Sequence, residues 1–287
     1  MSLAIALATR GRPQRLLDTI ARTLPMMARD DTRLIVCIDA DDSETRAMIF
    51  DAFSDDRVII DIREREDSLG AKWNRCLEYD ADVYSQQGDY TPYATRGFDQ
   101  RILDAAASFG DGIGVVYSNL ANWSFPSNQS VTKKFVKKHG TFYQTMFPYW
   151  FVDHWLQDIA FMIDRVAYAD TTVLMPIDKP ATQNLRELEW WANFYDIMRI
   201  VRRKQAAQII DDPEFDEKPW RKALLKRNFR LWEQRSQNIN DHVRSSLVPN
   251  IGEPAEAGGE RYDRLRRFAH GVLVREAPAM EKELAVG

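Results

Sequence analysis

The 287-residue sequence has little of three features that would mark a secreted, membrane or metal-knot protein. Its only two cysteines, Cys37 and Cys76, have no C-x-x-C spacing, which argues against a disulfide framework and favours a reducing compartment. No apolar run approaches the roughly 20 residues that span a bilayer. The first apolar run, residues 3–8, precedes Arg10 and Arg12, the reverse of a secretory signal peptide. A cytoplasmic location is therefore expected.

The sequence also lacks a large charge of either sign. Its 39 basic and 43 acidic residues leave a net charge of −4, so the chain as a whole does not attract nucleic acid or anionic lipid strongly. Hydrophobic residues make up 45% and charged residues 29%, close to the averages of soluble globular proteins. These values predict a chain that folds in water with a sizeable core.

What the sequence does contain is a pair of short apolar runs that each end at a polar cluster. Residues 3–8 stop at Thr-Arg-Gly-Arg-Pro, and residues 34–38 stop at Asp-Ala-Asp-Asp-Ser. Apolar residues at helical spacing fill residues 16–24, so the segment predicts a βαβ unit with a parallel sheet. Open parallel sheets bind ligands beyond the carboxyl ends of their strands, where both polar clusters lie.

The alternation of strands and helices continues to about residue 175 and then ends. Further strands are predicted at residues 58–62, 83–87 and 113–117, and helices at residues 43–53, 70–79 and 153–165. Residues 123–149 are predicted to be a long functional loop. Helical runs at 185–208, 219–242 and 259–276 follow, with a mobile linker at 249–259. We expect an α/β domain over residues 1–175 and a helical region over residues 176–287.

Four polar segments occur in an order that is typical of one family. They are residues 9–13, Asp39 with Asp41 and Asp42, residues 67–74, and Gly88 with Asp89. In this order they resemble the nucleotide-sugar-binding half of family 2 glycosyltransferases of the GT-A fold. The resemblance covers residues 1 to about 165 and implies a mostly parallel, Rossmann-like sheet flanked by helices. It also implies transfer of a sugar from a nucleotide-diphosphate sugar, such as a UDP-sugar, to an acceptor hydroxyl with inversion.

The resemblance assigns the nucleotide to the first two segments. Asp39 and Asp41 would accept hydrogen bonds from a base or ribose, while Thr9 and Arg10 would supply a backbone contact and a positive charge for the diphosphate. Arg12 is equally well explained as a solvated surface residue.

Two residues of the third segment are further candidates for anion binding. Lys72 and Asn74 lie at the start of a predicted helix, where backbone N–H groups favour an anion. The alternative is a surface lysine and an ordinary helix-start asparagine.

The family commonly binds Mg²⁺ or Mn²⁺ to neutralise the leaving diphosphate, and Asp89 matches the first acidic residue of that motif. Tyr90 and Thr91 follow where a second carboxylate is expected. Asp89 could hold the ion alone with diphosphate and water. Asp80 and Asp82 form a literal D-x-D motif, but they precede the strand and so belong to the wrong end of the sheet.

An inverting transfer needs a carboxylate that takes the proton of the acceptor hydroxyl. Residues 151–158 resemble the family segment that supplies this base. Asp153, at the predicted helix start, is the expected base, and Asp158 is the competing candidate on a different face of the helix. Asp153 could instead be only an N-cap, and His154 is a secondary candidate.

Several questions of function stay open at the level of sequence. The acceptor could be a glycan, a lipid-linked sugar or a modified nucleic-acid base. Basic groups at residues 199–204 and 218–230 could meet a membrane periphery or a second copy of the chain. A non-catalytic nucleotide-sugar-binding module is the rival interpretation. A nucleotidyltransferase is another, although its glycine-rich, lysine-bearing first loop is absent.

Overall fold

The computed structural model describes residues 1–49, 52–120, 128–174, 188–231 and 259–286. The chain divides into two compact units. Unit 1 comprises Met1–Tyr143 and Arg165–Asp178, and unit 2 comprises Gln144–Asp164 and Lys179–Gly287. The sequence placed residues 144–164 in the first domain, whereas this segment groups with the helical unit 2.

Unit 1 is built on a seven-stranded, mostly parallel sheet with the order β3-β2-β1-β4-β6-β5-β7. The strands β1 to β4 pair in parallel, β5 pairs in parallel with β7, and β6 is antiparallel to both of its neighbours. The bounds are β1 Leu3–Ala8, β2 Arg33–Asp39, β3 Val58–Arg63, β4 Val83–Gly88, β5 Val115–Leu120, β6 Asn128–Thr132 and β7 Val166–Val173. This confirms the predicted α/β class.

Five described helices belong to unit 1: α1 Pro13–Thr23, α2 Ser43–Ile49, α3 Leu69–Asn74, α4 Phe98–Ala107 and α5 Lys133–His139. Pro13 opens α1, where its missing N–H costs nothing. The helical spacing of Leu16 and Ile20 places both against the sheet, in one core with Leu7 and Val36. The apolar runs that predicted the first two strands thus form interior strands of the sheet.

The prediction of a long loop over residues 123–149 was wrong for residues 128–139, whereas residues 140–149 form no helix or strand. Residues 128–139 form β6 and α5, and residues 121–127 lie outside the described residues. Every residue of β6 is buried although only Val131 is apolar. Asn128 accepts a hydrogen bond from Gln86 at 3.1 Å, and Ser130 donates to Ser85 at 2.8 Å. Because its buried polar groups are hydrogen-bonded, β6 can lie inside the sheet without an apolar sequence pattern. The hydrophobic pattern of the sequence therefore did not predict this strand.

The elements described in unit 2 are helices, and the bounds of the predicted helical region, residues 176–287, stay a prediction. Its helices are α6 Val152–Met162, α7 Leu188–Ile197, α8 Arg199–Asp211, α9 Pro219–Arg227 and α10 Gly259–Val286. The predicted helix over 185–208 is interrupted at Met198. Of the predicted linker over 249–259, residues 249–258 lie outside the described residues, and Gly259 begins α10. Within the described ranges, no helix combines the length and the apolar character that a bilayer crossing requires.

Candidate functional site

Seven polar side chains of unit 1 meet at the carboxyl ends of β1, β2 and β4. We call them the strand-end cluster; its members are Thr9, Arg10, Arg12, Asp39, Asp41, Lys72 and Asp89. The cluster exists because β1 lies between β2 and β4 and runs parallel to both, so the residues that follow all three strands share one edge.

Thr9 connects the two sides of this cluster. Its hydroxyl donates to Asp89 Oδ2 at 2.8 Å, and its carbonyl accepts from Lys72 Nζ at 2.7 Å. Lys72 Nζ also lies 2.7 Å from Asp39 Oδ1. Burial lowers the pKa of Lys72, and the charge of Asp39 opposes that effect. Lys72 is therefore a buried part of the cluster and not the surface lysine that the sequence left open.

Arg10 binds the two aspartates that follow β2. It lies 3.0 Å from Asp39 Oδ2 and makes two hydrogen bonds to Asp41, at 2.6 and 2.9 Å. The hydrogen bonds to Asp41 are the largest cause that raises the pKa of Arg10. Asp39 is buried, whereas Asp41 and Arg10 are partly open to solvent. Arg10, Asp39 and Asp41 thus lie together, as the nucleotide assignment requires.

Asp42 has a different task from its neighbours. Its carboxylate accepts from the Gly11 N–H at 2.7 Å and from the Thr45 hydroxyl at 2.8 Å. Gly11 has a φ of +62°, a conformation that glycine adopts without strain. Burial acts to raise the pKa of Asp42, but these hydrogen bonds lower that pKa overall. Asp42 therefore holds the turn after β1 in place.

Two arginines that the sequence did not identify as site residues lie at the strand ends. Arg12, which the sequence left as a solvated alternative, has its Nε 3.0 Å from Asp89 Oδ2. Arg75 is buried, donates to the Ile38 carbonyl at 3.0 Å and forms an ion pair with Glu66. The only sequence signal for Arg75 is the acidic residue nine positions earlier, which is too common a pattern to identify a buried pair.

Asn74 lies outside the strand-end cluster. Its amide nitrogen donates to Thr141 Oγ1 at 2.9 Å and to the Tyr143 carbonyl at 2.8 Å, and its oxygen accepts from the Tyr143 N–H at 2.8 Å. In the structure Asn74 anchors the segment after α5, and its role in nucleotide binding stays a prediction.

The literal D-x-D motif lies at the start of β4, as its sequence position indicated. Asp80 pairs with Lys133 at 2.5 Å, and Asp82 accepts from the Ser2 N–H at 2.8 Å. Ser2 precedes β1, so both carboxylates belong to the edge of the sheet opposite the strand-end cluster.

The surroundings of Asp89 do not fit a divalent cation. Its side chain is 1% exposed, and its Oδ2 atom already accepts from Thr9 and faces the charge of Arg12. Within the described ranges, no group of three or more histidine, cysteine, aspartate and glutamate side chains could hold a metal ion. Burial raises the pKa of Asp89, and the positive charge of Arg12 opposes this rise. The metal at Asp89 stays a prediction that these contacts do not favour.

Asp153, the candidate base, lies in unit 2 near the start of α6. The helix begins at Val152 with Phe151 at the N-cap, so Asp153 is not the cap residue that the sequence predicted. Asp153 Oδ1 lies 2.9 Å from Nδ1 of His154, and its side chain is 27% exposed. Burial acts to raise the pKa of Asp153, but the charge and hydrogen bonds of His154 lower that pKa overall. Asp153 in turn raises the pKa of His154. The lowered pKa favours the ionised form of the Asp153 carboxylate.

Asp158, the competing candidate, is enclosed within unit 2. Its Oδ2 atom accepts from the Tyr195 hydroxyl at 2.5 Å and lies 2.8 Å from Arg202 Nε. The Arg202 guanidinium stacks on the Tyr195 ring, 3.7 Å from its centroid. Asp158 is buried, and its accepting oxygen is held by both partners. Of the two aspartates, Asp153 has the more exposed carboxylate.

Comparisons with known proteins report on the fold. No family model and no curated protein sequence matches the chain. Among solved structures, residues 1–349 of S. aureus TarS match with a TM-score of 0.52 and 12% identity, covering 80% of this chain and 70% of that one. The same fragment in complex with UDP-GlcNAc gives 0.54 and 10%, covering 80% and 71%. This likeness confirms the predicted GT-A-like fold class, while membership of family 2 stays a prediction.

Proposed function

We propose that the chain is a glycosyltransferase that moves a sugar from a nucleotide-diphosphate sugar to an acceptor hydroxyl. The observation that carries the proposal is the strand-end cluster, in which three cations and three carboxylates lie beyond the ends of β1, β2 and β4. This is the edge where open α/β sheets bind nucleotides. A protein of similar fold, TarS, has been solved with UDP-GlcNAc, which supports a nucleotide sugar as the donor.

Within this proposal, different members of the cluster bind different parts of the nucleotide. Asp39 and Asp41 accept hydrogen bonds from the base or ribose, and Arg10, whose side chain is 37% exposed, contacts the diphosphate. Thr9 and Lys72 are more buried. The Thr9 hydroxyl keeps Asp89 in position, and Lys72, which also donates to the Thr9 carbonyl, keeps Asp39 in position.

The proposed transfer is a single displacement with inversion. The acceptor oxygen attacks the anomeric carbon and its proton passes to the Asp153 carboxylate. The bond between the anomeric carbon and the diphosphate oxygen breaks, and its electron pair stays on the diphosphate. The lowered pKa keeps Asp153 ionised at neutral pH, as a proton acceptor must be. No metal step is included, because the contacts of Asp89 do not fit a divalent cation.

The acceptor and the surroundings of the enzyme stay predictions. On α9 the exposed side chains of Trp220 and Leu224 lie in the same basic helix as Lys222 and Lys226. Apolar and basic side chains on one helix suit the surface of an anionic membrane, which supports peripheral contact and a lipid-linked acceptor. A glycan or modified nucleic-acid base as acceptor, a cytoplasmic location and a homo-oligomer have no further support.

A non-catalytic nucleotide-sugar-binding module is the rival, supported by Tyr90 and Thr91, which follow Asp89 where the second carboxylate of the family motif is expected. Nucleotide-release assays over UDP-, GDP- and dTDP-sugars separate the two functions. Turnover with any donor supports the transferase. Tight binding of a donor without release of its nucleotide, over a broad set of acceptors, would favour the module.

Variants of the two units sharpen this test. Asp153→Asn should reduce transfer by about 10²- to 10⁴-fold and leave nucleotide affinity unchanged, since it removes the base alone. Asp164→Asn is the matched control, because Asp164 is an exposed aspartate of unit 2 with a positive φ that asparagine also accepts. Unchanged transfer in Asp153→Asn would contradict the assignment of the base.

The nucleotide assignment is tested by calorimetric titration with UDP and GDP. Asp39→Asn should weaken the affinity, whereas Asp31→Asn, which replaces an exposed aspartate before β2, should not. If neither nucleotide binds to the native chain in any buffer, the proposed function is wrong.

A further inference from the structure

The end of β4 contains an arrangement that the sequence did not predict. Asp89 is buried, and one oxygen of its carboxylate is shared between the Thr9 hydroxyl at 2.8 Å and Arg12 Nε at 3.0 Å. Arg12 comes from the first polar cluster, 77 positions earlier in the sequence, because the ends of β1 and β4 are adjacent. A cation supplied by the chain itself therefore lies against the carboxylate that matches the metal motif.

The side chain that directly follows Asp89 also contacts Arg12. The guanidinium carbon of Arg12 lies 5.7 Å from the centre of the Tyr90 ring. An aromatic face within about 6 Å attracts a cation through its quadrupole. Asp89 and Tyr90 thus hold a guanidinium against the carboxylate that matches the metal motif. Because Tyr90 and Thr91 follow Asp89 where a second carboxylate is expected, the local negative charge is lower by one, which favours a monovalent cation over a divalent one.

The guanidinium is available to a ligand. The Arg12 side chain is 26% exposed, whereas its partner Asp89 is 1% exposed, so the pair presents its positive member to solvent. A guanidinium carries five N–H donors in a rigid fork, and its geometry matches a phosphate oxygen pair. The ion pair with Asp89 involves Nε and leaves the fork able to meet an anion that approaches from solvent.

We propose that Arg12 is the fixed cation of the donor site: it binds the diphosphate of the nucleotide sugar and stabilises the leaving diphosphate, so that neither binding nor transfer depends on a divalent metal. This inference rests on the proposed function. When the bond to the anomeric carbon breaks, the electron pair moves to the diphosphate oxygen, and the permanent charge of Arg12 offsets the charge that develops there. No co-reactant is needed, because arginine stays protonated throughout.

The test compares nucleotide affinity with and without metal. Calorimetric titration of the native chain with UDP and with GDP is carried out in EDTA and again in Mn²⁺. We expect the preferred nucleotide to bind equally in both buffers, within about twofold, and sugar transfer to continue in EDTA. An affinity at least tenfold higher in Mn²⁺ would overturn the inference and leave the proposed function intact. Absence of binding in both buffers would overturn both.

Variants of Arg12 separate a role in binding from a role in folding. Arg12→Met should weaken nucleotide binding in EDTA by about 10- to 100-fold, the loss typical of a charge-assisted hydrogen bond, and Arg12→Lys should restore part of it. Arg22→Met, which removes an exposed arginine from the last turn of α1, is the control and should bind as the native chain does. Native affinity in a folded Arg12→Met variant would contradict the proposal.

The variant Arg12→Ala adds a measurement that a structural role would not affect. Removal of the guanidinium uncovers the Asp89 carboxylate, so Mn²⁺ should now improve nucleotide binding by a measurable factor although it has no effect on the native chain. If Mn²⁺ has the same effect on both proteins, Arg12 does not occupy the position of the metal. Circular dichroism of each variant shows whether it is folded, and the metal dependence of the native chain tests the proposal even if a variant does not fold.

Discussion

The two units of the molecule contain carboxylates with closely similar partners but different exposure. In unit 1, Asp89 faces an arginine Nε at 3.0 Å, a hydroxyl at 2.8 Å and a guanidinium beside an aromatic ring. In unit 2, Asp158 faces an arginine Nε at 2.8 Å, a hydroxyl at 2.5 Å and a guanidinium on an aromatic ring. The side chain of Arg12 is 26% exposed, however, and that of Arg202 only 3%. The same chemical groups are therefore open to solvent in one place, where we propose that they bind a ligand, and enclosed in the other.

The largest effect is expected for the enclosed pair. Arg202→Met should lower the free energy of unfolding by about 3–5 kcal/mol, because it leaves the Asp158 carboxylate buried without its countercharge. Urea denaturation measures this loss. Lys204→Met on the same helix is the control; its exposed ion pair with Glu276 should contribute no more than about 1 kcal/mol. A loss below about 1 kcal/mol for Arg202→Met would remove the distinction between the two pairs.

A smaller loss is expected when the exposed pair is broken. Arg12→Met should cost about 1–3 kcal/mol at neutral pH, since Asp89 keeps the hydrogen bond from Thr9 and the nearby charge of Lys72. Burial already raises the pKa of Asp89 above its unfolded value, and loss of Arg12 raises it further. A raised carboxyl pKa destabilises the folded state as pH rises through it. The deficit of the variant should therefore shrink as pH falls from 7 towards 4, in denaturation curves recorded at each pH.

The hydroxyl groups provide a paired test of about equal size. Thr9→Val and Tyr195→Phe each remove the donor to a buried carboxylate and should each cost about 1–2 kcal/mol in the free energy of unfolding. Only Thr9→Val should also weaken the binding of UDP or GDP, measured by calorimetry. A change in affinity with Tyr195→Phe would show that the two carboxylates are not functionally separate.

The smallest effect concerns Asp153, a third carboxylate with intermediate exposure. Asp153→Asn should lower the pKa of His154, because the carboxylate charge is what raises it against the effect of burial. The shift can be followed by NMR titration, since the chain has only four histidines. Asp164→Asn should leave the His154 titration unchanged. An unaltered pKa in Asp153→Asn would mean that the Asp158 charge, which also acts on His154, is the dominant influence.

The sequence predicted those parts of the fold in which the buried residues are apolar. Leu7 and Val36 are apolar and buried, so the strands that contain them were identifiable, and the strand-end position of Thr9 and Asp39 followed from them. Asn128 and Arg75 are polar and buried. Their partners, Gln86 and Glu66, are set by tertiary contacts that no local pattern encodes.

The same reason applies to the candidate site. The order of the segments indicated positions for Lys72 and Asp89 near the strand ends, and the structure has both side chains there. No local pattern indicates that Arg12 meets Asp89, since the pairing depends on the adjacency of β1 and β4. Asn74 and Lys72 are two residues apart in one short helix and face different partners, which the turn of the helix separates.

The polar strand β6 also determines how faithfully the sheet assembles. It is the only connection in the described sheet between β4 and β5, and four of its five residues are polar. Apolar strands tolerate a shift along their neighbours as long as one hydrophobic face stays buried, and a two-residue shift preserves that face. In β6 such a shift would separate Asn128 from Gln86 and Ser130 from Ser85, leaving buried donors and acceptors unpaired. Side-chain hydrogen bonds of β6 thus favour one register between the two halves of the sheet over the shifted ones.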